Sequence, residues 1–164
     1  MNWPCDIHEV LTRFGVGQVC YVPDSGHMEL IRSAHDDPAM TVIPLTTEEE
    51  GIAILGGAWL GGARGVLLMQ SSGVGNCVNM LSLVKTCGFP FLTLVTMRGE
   101  WGEFNPWQLP MGSATEGVLK TMGLHVMRAS APDDVNPTVT AAASMAFEGG
   151  AACAVLLSDR KSVV

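Results

Sequence analysis

Six short apolar runs punctuate the chain, at 18–22, 40–45, 65–70, 91–97, 124–127 and 152–157. None alternates strictly between apolar and polar residues, so each reads as a strand buried on both of its faces. Around them lie segments with helical spacing, at 6–14, 26–34, 48–61, 76–87, 113–122 and 133–147. In the first of these, Ile7, Val10, Leu11 and Phe14 share one face. Strands that alternate with crossover helices predict an α/β fold: a doubly wound, mainly parallel sheet of about six strands with helices on both faces. Ligands of such sheets bind beyond the carboxyl ends of the strands. That singles out the connections 23–26, 46–50, 71–76 and 98–111, the last of which has no regular period and reads as a loop.

No linker, repeat or low-complexity stretch divides the 164 residues, a length suited to one domain. Charged residues make up 15% of the chain, against a usual value near 25%. So little charge predicts a subunit that buries part of its exterior against partners. Nine Lys and Arg are scattered in a chain of net charge −7. Without a basic stripe there is no basis for nucleic-acid binding or for a polybasic membrane contact. The five cysteines form no CxxC pair, which predicts reduced thiols and a cytoplasmic protein rather than a disulfide framework or structural zinc. No signal peptide is expected from the first residues. The longest apolar run, 51–63, falls short of the roughly 20 residues a membrane span requires.

Glu48, Glu49 and Glu50 open the third helical segment behind Thr46 and Thr47. Capping alone explains them: Thr46 with Glu49 and Thr47 with Glu50 have capping-box spacing, and the helix dipole favours acids in a first turn. The rest of that helix suggests more. From Ile52 to Gly62 it is apolar nearly all round and carries Gly56, Gly57, Gly61 and Gly62. A glycine inside a helix costs about 1 kcal/mol against alanine, so close approach of another backbone is expected to offset it. The helix is therefore expected at an interface, with its acidic start nearby.

Met69-Gln70 ends a strand and leads into Ser71-Ser72-Gly73-Val74-Gly75-Asn76. This segment reads as a loop in which Gly73 and Gly75 permit positive φ and close approach to a ligand. It lacks the third glycine of a dinucleotide fingerprint and the lysine of a phosphate-binding loop. A platform for a flat heterocycle and a plain strand-to-helix turn both remain open. Trp101 and Trp107 lie on the irregular stretch 98–108, where aromatic side chains point to a lid or an interface. His27 is the histidine on a carboxyl-end connection, and its simplest reading is a helix-surface residue. Metal-ligating residues do not cluster, and Ser71 and Ser72 have no adjacent His–Asp partner.

The chain resembles a known family at these residues. The segments Val22-Pro23-Asp24-Ser25, Glu48 to Gly62, Met69 to Asn76, Arg98-Gly99-Glu100 and Gln108 to Gly112 are similar, in order, to the pyrimidine-binding domain of thiamine diphosphate-dependent enzymes. The nearest likeness is to sulfopyruvate decarboxylase α subunits and the matching part of phosphonopyruvate decarboxylases. The resemblance implies that Glu48, reached by counting back from Gly57, is the catalytic acid that hydrogen-bonds the cofactor's aminopyrimidine ring. Glu49 is the alternative. It also implies that Gly73, Gly75 and Asn76 line the pyrimidine, that Ser25 faces the reacting carbon and that Gln108 sits on a loop over the site. His27 and Gln70 are further substrate or lid candidates. No metal ligand is implied on this chain. The family's Gly-Asp-Gly motif for diphosphate and Mg²⁺ does not occur in the sequence. Thiamine diphosphate and Mg²⁺ are thus implied to be held mainly by a β subunit that carries the diphosphate-binding domain. Residues 1–164 would be a single pyrimidine-binding domain within a hetero-oligomer such as α2β2 or larger. The implied activity is decarboxylation of a small 2-oxo acid. A carboligase of the same cofactor class and a non-catalytic, regulatory subunit are the alternatives. Arg64 and Arg98 are the cations near the candidate loops, which leaves a less charged or aromatic 2-oxo acid open as substrate.

Overall fold

The structure, a computed structural model, describes residues 3–158. Helix α1 (Trp3–Arg13) precedes strand β1 (Val16–Tyr21), and a 3-10 turn at Ser25–His27 leads into α2 (Met28–Asp36). Then come β2 (Thr41–Pro44), α3 (Glu48–Leu60), β3 (Arg64–Gln70), α4 (Ser71–Cys77), α5 (Leu81–Cys87) and β4 (Phe91–Thr96). A second 3-10 turn, Pro106–Gln108, opens α6 (Leu109–Thr121), followed by β5 (His125–Ala129), α7 (Pro132–Phe147) and β6 (Ala152–Leu157).

All six strands join one sheet in the order β2-β1-β3-β4-β6-β5, and every neighbouring pair is parallel. The doubly wound sheet expected from the alternating elements is what forms. Its inner strands β3, β4 and β6 are apolar on both sides because both sides are covered. Helices α1, α2 and α7 enclose one core with Ile7, Leu11, Leu30 and Val139. Helices α3, α4, α5 and α6 enclose the other with Ile52, Val74, Leu81 and Leu119. From β1 the chain steps outward to β2 and then back across it to β3. That reversal creates a topological switch point at the carboxyl ends of β1 and β3, where α/β sheets bind ligands.

Two local expectations are corrected. The segment 71–76 is helix and not loop: α4 begins directly after β3, and neither Gly73 nor Gly75 has a positive φ. The single helix expected over 76–87 is therefore two, interrupted between Cys77 and Leu81. Glycine's poor helix propensity was outweighed by packing, a common override for short buried segments. Likewise α6 begins at Leu109, inside the expected loop, because Pro110 sits in the first turn where its missing N–H breaks no helical bond.

The glycines of α3 also differ from expectation. A Cβ on Gly51 would lie 2.6 Å from Leu67 Cδ1, and one on Gly56 would lie 3.2 Å from the Phe89 ring. Side chains of the chain's own core, not a second backbone, use that space. Gly57 instead faces open space on the outer side of α3, alongside exposed Ala53 and Leu60. The helix thus leaves an apolar outer face at Ala53, Gly57 and Leu60. Among the described residues no helix is long and apolar enough to cross a membrane. Among the described residues no disulfide forms, and Cys20, Cys77 and Cys153 are buried.

Candidate active site

The three glutamates at the start of α3 have separate fates. Glu50 turns back, and its Oε2 accepts the backbone N–H of Thr46 at 2.9 Å, a capping role. Glu49 is half-buried. Glu48 is only 8% exposed and lies against α4. Its Oε2 accepts the Asn76 amide at 2.8 Å. Gly73 makes this possible: a Cβ there would lie 2.5 Å from Glu48 Cδ and 2.6 Å from Cγ, closer than any real contact. Gly73 is glycine for space and not for backbone conformation. The neighbouring Cys77 thiol is pushed up to about 12 by burial first, then by the negative fields of Glu48 and Glu49. No cation pairs with Glu48 among the described residues, and its Oε1 takes no hydrogen bond from them. A nearly buried carboxylate without a counter-ion is costly, and such costs concentrate at functional sites.

A second polar group sits at the switch point. Asp24, just after β1, accepts the Gln70 amide at 3.0 Å and the Thr96 hydroxyl at 2.6 Å. The Ser72 hydroxyl donates to Gln70 Oε1 at 2.9 Å. Asp24 lies in the Val22–Ser25 segment that carries the resemblance, but neither its role nor Thr96 is evident from sequence. The available signal was their place at the carboxyl ends of β1 and β4. Gln70 is thereby held by neighbours on both ends of its amide.

His27 is corrected. It is fully buried and not a helix-surface residue. Its Nε2–H is directed at the Leu94 carbonyl at 3.1 Å and the Met69 carbonyl at 3.3 Å. Burial pushes its pKa below the usual histidine value, while the Asp24 charge and the two carbonyls pull the other way. It joins the ends of β3 and β4 from within the core. Ser25 is exposed on the 3-10 turn. Gln108 is half-buried at the end of the second 3-10 turn, with Oε1 buried and unpartnered. Neither is hydrogen-bonded to the Glu48 group.

The loop from β4 to α6 is built around Glu103. It accepts Arg98 Nε at 2.7 Å and Nη2 at 2.6 Å, and the backbone N–H groups of Asn105 at 3.0 Å and Gly99 at 3.1 Å. The Arg98 guanidinium foremost, then the Asn105 amide, hold the Glu103 carboxyl down to about 2. The Arg98 backbone N–H reaches Ser71 Oγ at 3.0 Å, which ties this loop to α4. Trp101, Phe104 and Trp107 are exposed on it. An open cleft of about 570 Å³ lies between Pro106, Trp107, Pro110 and Met111. Met111 extends from that cleft to α4: its Sδ would lie 3.5 Å from a Cβ on Gly75. So Gly75 touches the loop and Gly73 touches the acid. Among the described residues no group of three His, Cys, Asp or Glu could hold a metal ion.

No family model matches the sequence. The chain is 34% identical over 158 residues to the sulfopyruvate decarboxylase subunit alpha of Methanococcus maripaludis, across 96% of this chain and 95% of that one. It belongs to the sulfopyruvate decarboxylase α-subunit family. The subunit alpha of Methanocaldococcus jannaschii is 32% identical over 87% of this chain and 85% of its own. The phosphonopyruvate decarboxylase of Streptomyces viridochromogenes is 39% identical over 70% of this chain, but the match spans only 29% of that protein. The family's fold thus also occurs as one segment of longer decarboxylases. In fold, the chain matches the 2-oxoglutarate:ferredoxin oxidoreductase from Magnetococcus marinus with a TM-score of 0.78, 16% identity and 96% coverage, against 29% of that chain.

Proposed function

We propose that this chain is the α subunit of a thiamine diphosphate-dependent decarboxylase of small 2-oxo acids, completed by a β subunit. Glu48 carries the reading. It is a nearly buried acid without a cationic partner, fixed by Asn76 at 2.8 Å and given room by Gly73. That donor set fits an aminopyrimidine, which needs one carboxylate oxygen facing a ring nitrogen in a dry place. Thiamine diphosphate, when bound, supplies a nucleophilic carbon and an electron sink for loss of carbon dioxide.

The chain's own residues act around that chemistry. Glu48 holds and moves a proton at Oε1 while Asn76 keeps Oε2 fixed. Gly73 lets α4 close over the carboxylate and keep water from that side. Gln70, clamped between Asp24 and Ser72, offers a fixed amide at the switch point. The substrate loses carbon dioxide, gains one proton and leaves as an aldehyde. The diphosphate and its Mg²⁺ are assigned to the β subunit. Relatives named as α subunits match this chain nearly end to end, which supports a division of the site between polypeptides. The buried thiols of Cys20, Cys77 and Cys153 support a cytoplasmic assembly.

Glu48→Gln tests the reading, because it keeps the side-chain size and removes the acid. In the reconstituted complex, turnover should fall by about 100-fold or more with assembly intact. Unchanged turnover would favour a subunit that only stabilises or regulates its partner.

A further inference from the structure

Resting on the decarboxylase reading above, we infer that Gln70 donates one N–H to the carboxylate shared by all 2-oxo acids. Asp24 is the positioning residue that fixes which way the Gln70 amide faces. The remainder of the substrate is left to the wall that the β subunit supplies.

An ionised carboxylate only accepts hydrogen bonds. The Gln70 atom 3.0 Å from Asp24 Oδ1 is therefore Nε2, and the atom that receives the Ser72 hydroxyl at 2.9 Å is Oε1. A flipped amide would set its carbonyl oxygen against the Asp24 carboxylate. Nε2 carries two hydrogens and spends one on Asp24; among the described residues the other has no partner. Gln70 is half-buried, so this N–H is not sealed in the core. Asp24 is itself fixed. Its Oδ2 takes the Thr96 hydroxyl at 2.6 Å. A Cβ on Gly26 would lie 2.7 Å from Thr96 Cγ2 and 3.0 Å from Asp24 Oδ2, so its absence leaves room for that bond. At the other end of the same turn His27 is fully buried on the Met69 and Leu94 carbonyls. The turn 24–27 is thus fastened at both ends to the carboxyl ends of β3 and β4.

The same contacts lead to the acid. They run from Thr96 through Asp24 and Gln70 to Ser72, and the residue after Ser72 is Gly73, whose missing Cβ makes room for the Glu48 carboxylate. Gln70 is the residue from which α4 starts, so the amide and the acid flank the first turn of one helix. An amide N–H is a donor only, and its partner in a ligand must be an acceptor. Every 2-oxo acid carries one in its carboxylate, whatever its side chain. A donor held at a fixed angle by an anion on one side and a hydroxyl on the other loses little freedom when that carboxylate arrives.

Steady-state kinetics of the reconstituted α–β complex test this, read as carbon dioxide release from sulfopyruvate, phosphonopyruvate and pyruvate. Gln70→Ala should raise KM about tenfold or more, the worth of one hydrogen bond to a charged group, with a smaller effect on kcat. The rise should be alike for each acid turned over, because the carboxylate is common to them. Asp24→Ala should raise KM in the same way, and the double variant should be no worse than Gln70→Ala alone, since Asp24 acts through Gln70. Asp24→Asn keeps the shape and an acceptor for the Gln70 amide, so it should recover part of the loss. An unchanged KM in Gln70→Ala, or losses that add in the double variant, overturn the inference and leave the decarboxylase reading standing. So does loss of the complex on gel filtration in both Gln70→Ala and Asp24→Asn, since the two residues would then only support the fold. Turnover of none of the three acids by the parent complex overturns both readings.

Discussion

Replacing Gly73 with alanine isolates the relation between α4 and the acid. On helix propensity alone the change would stabilise the chain, by up to about 1 kcal/mol. The new Cβ would however lie 2.5 Å from Glu48 Cδ, whereas two carbons rest at about 3.5–4.0 Å. The carboxylate must retreat by about 1 Å. Glu48 is a flexible side chain and can do so without unfolding the helix. The retreat breaks the 2.8 Å bond from Asn76, a hydrogen bond to a charged group worth about 1.5–3 kcal/mol. The net stability loss is then about 0.5–2 kcal/mol, which a thermal melt resolves. Activity should suffer far more, since an acid misplaced by about 1 Å costs on the order of 100-fold in rate. Gly75→Ala is the companion measurement. Its Cβ would meet Met111 Sδ at 3.5 Å, an ordinary contact, so its melting temperature should equal or exceed that of the parent. Full turnover with Gly73→Ala would refute the placement of the acid. Equal destabilisation by the two variants would refute the steric reasoning.

Four further outcomes are expected. Gly51→Ala should lower stability on a denaturant melt by about 1–3 kcal/mol before any helix-propensity gain, because its Cβ would sit 2.6 Å from Leu67 Cδ1 and 2.9 Å from Leu45 Cδ1; a stabilised variant would contradict this. Glu103 titrates near 2 in the folded chain instead of 4.5, so its stabilisation of the loop is complete above 4.5 and is lost as pH falls toward 2. Tryptophan fluorescence should report that transition, and Glu103→Gln should remove it. Burial lowers the His27 pKa below 6.5, so the unfolded chain binds the proton first and stability falls on acidification below 6.5. Urea melts at pH 7 and 5.5 should show a smaller difference for His27→Gln than for the parent; an identical difference would remove His27 from the account. Calorimetry should find negligible thiamine diphosphate binding by this chain without a β subunit, and binding once the complex forms.

The order of the elements, and the type of all but α4, were legible because the inner strand runs are apolar on both faces and several helices show a period of their own. That pattern requires covered parallel strands, and it located the strands to within a residue or two. The place of 46–50 and 71–76 at the carboxyl ends of strands was legible too, since both follow strand runs. The role of each residue there was not. Nothing local distinguishes Glu50, which caps, from Glu48, which is buried: all three glutamates sit in one helical turn with equal intrinsic preference for it. The choice is made by α4, a segment more than twenty residues away. Gly73 looked like a residue needed for its φ, yet it is needed for its missing Cβ, which only the approach of α3 makes critical. His27 reads from sequence as a helix-surface residue, but the carbonyls of Met69 and Leu94 that receive its N–H come from two other strands. Periodicity is a property of the chain with itself, so one sequence carries it. Which side chain meets which across the sheet depends on how the layers pack, and that was decided only when β1 and β3 came together at the switch point.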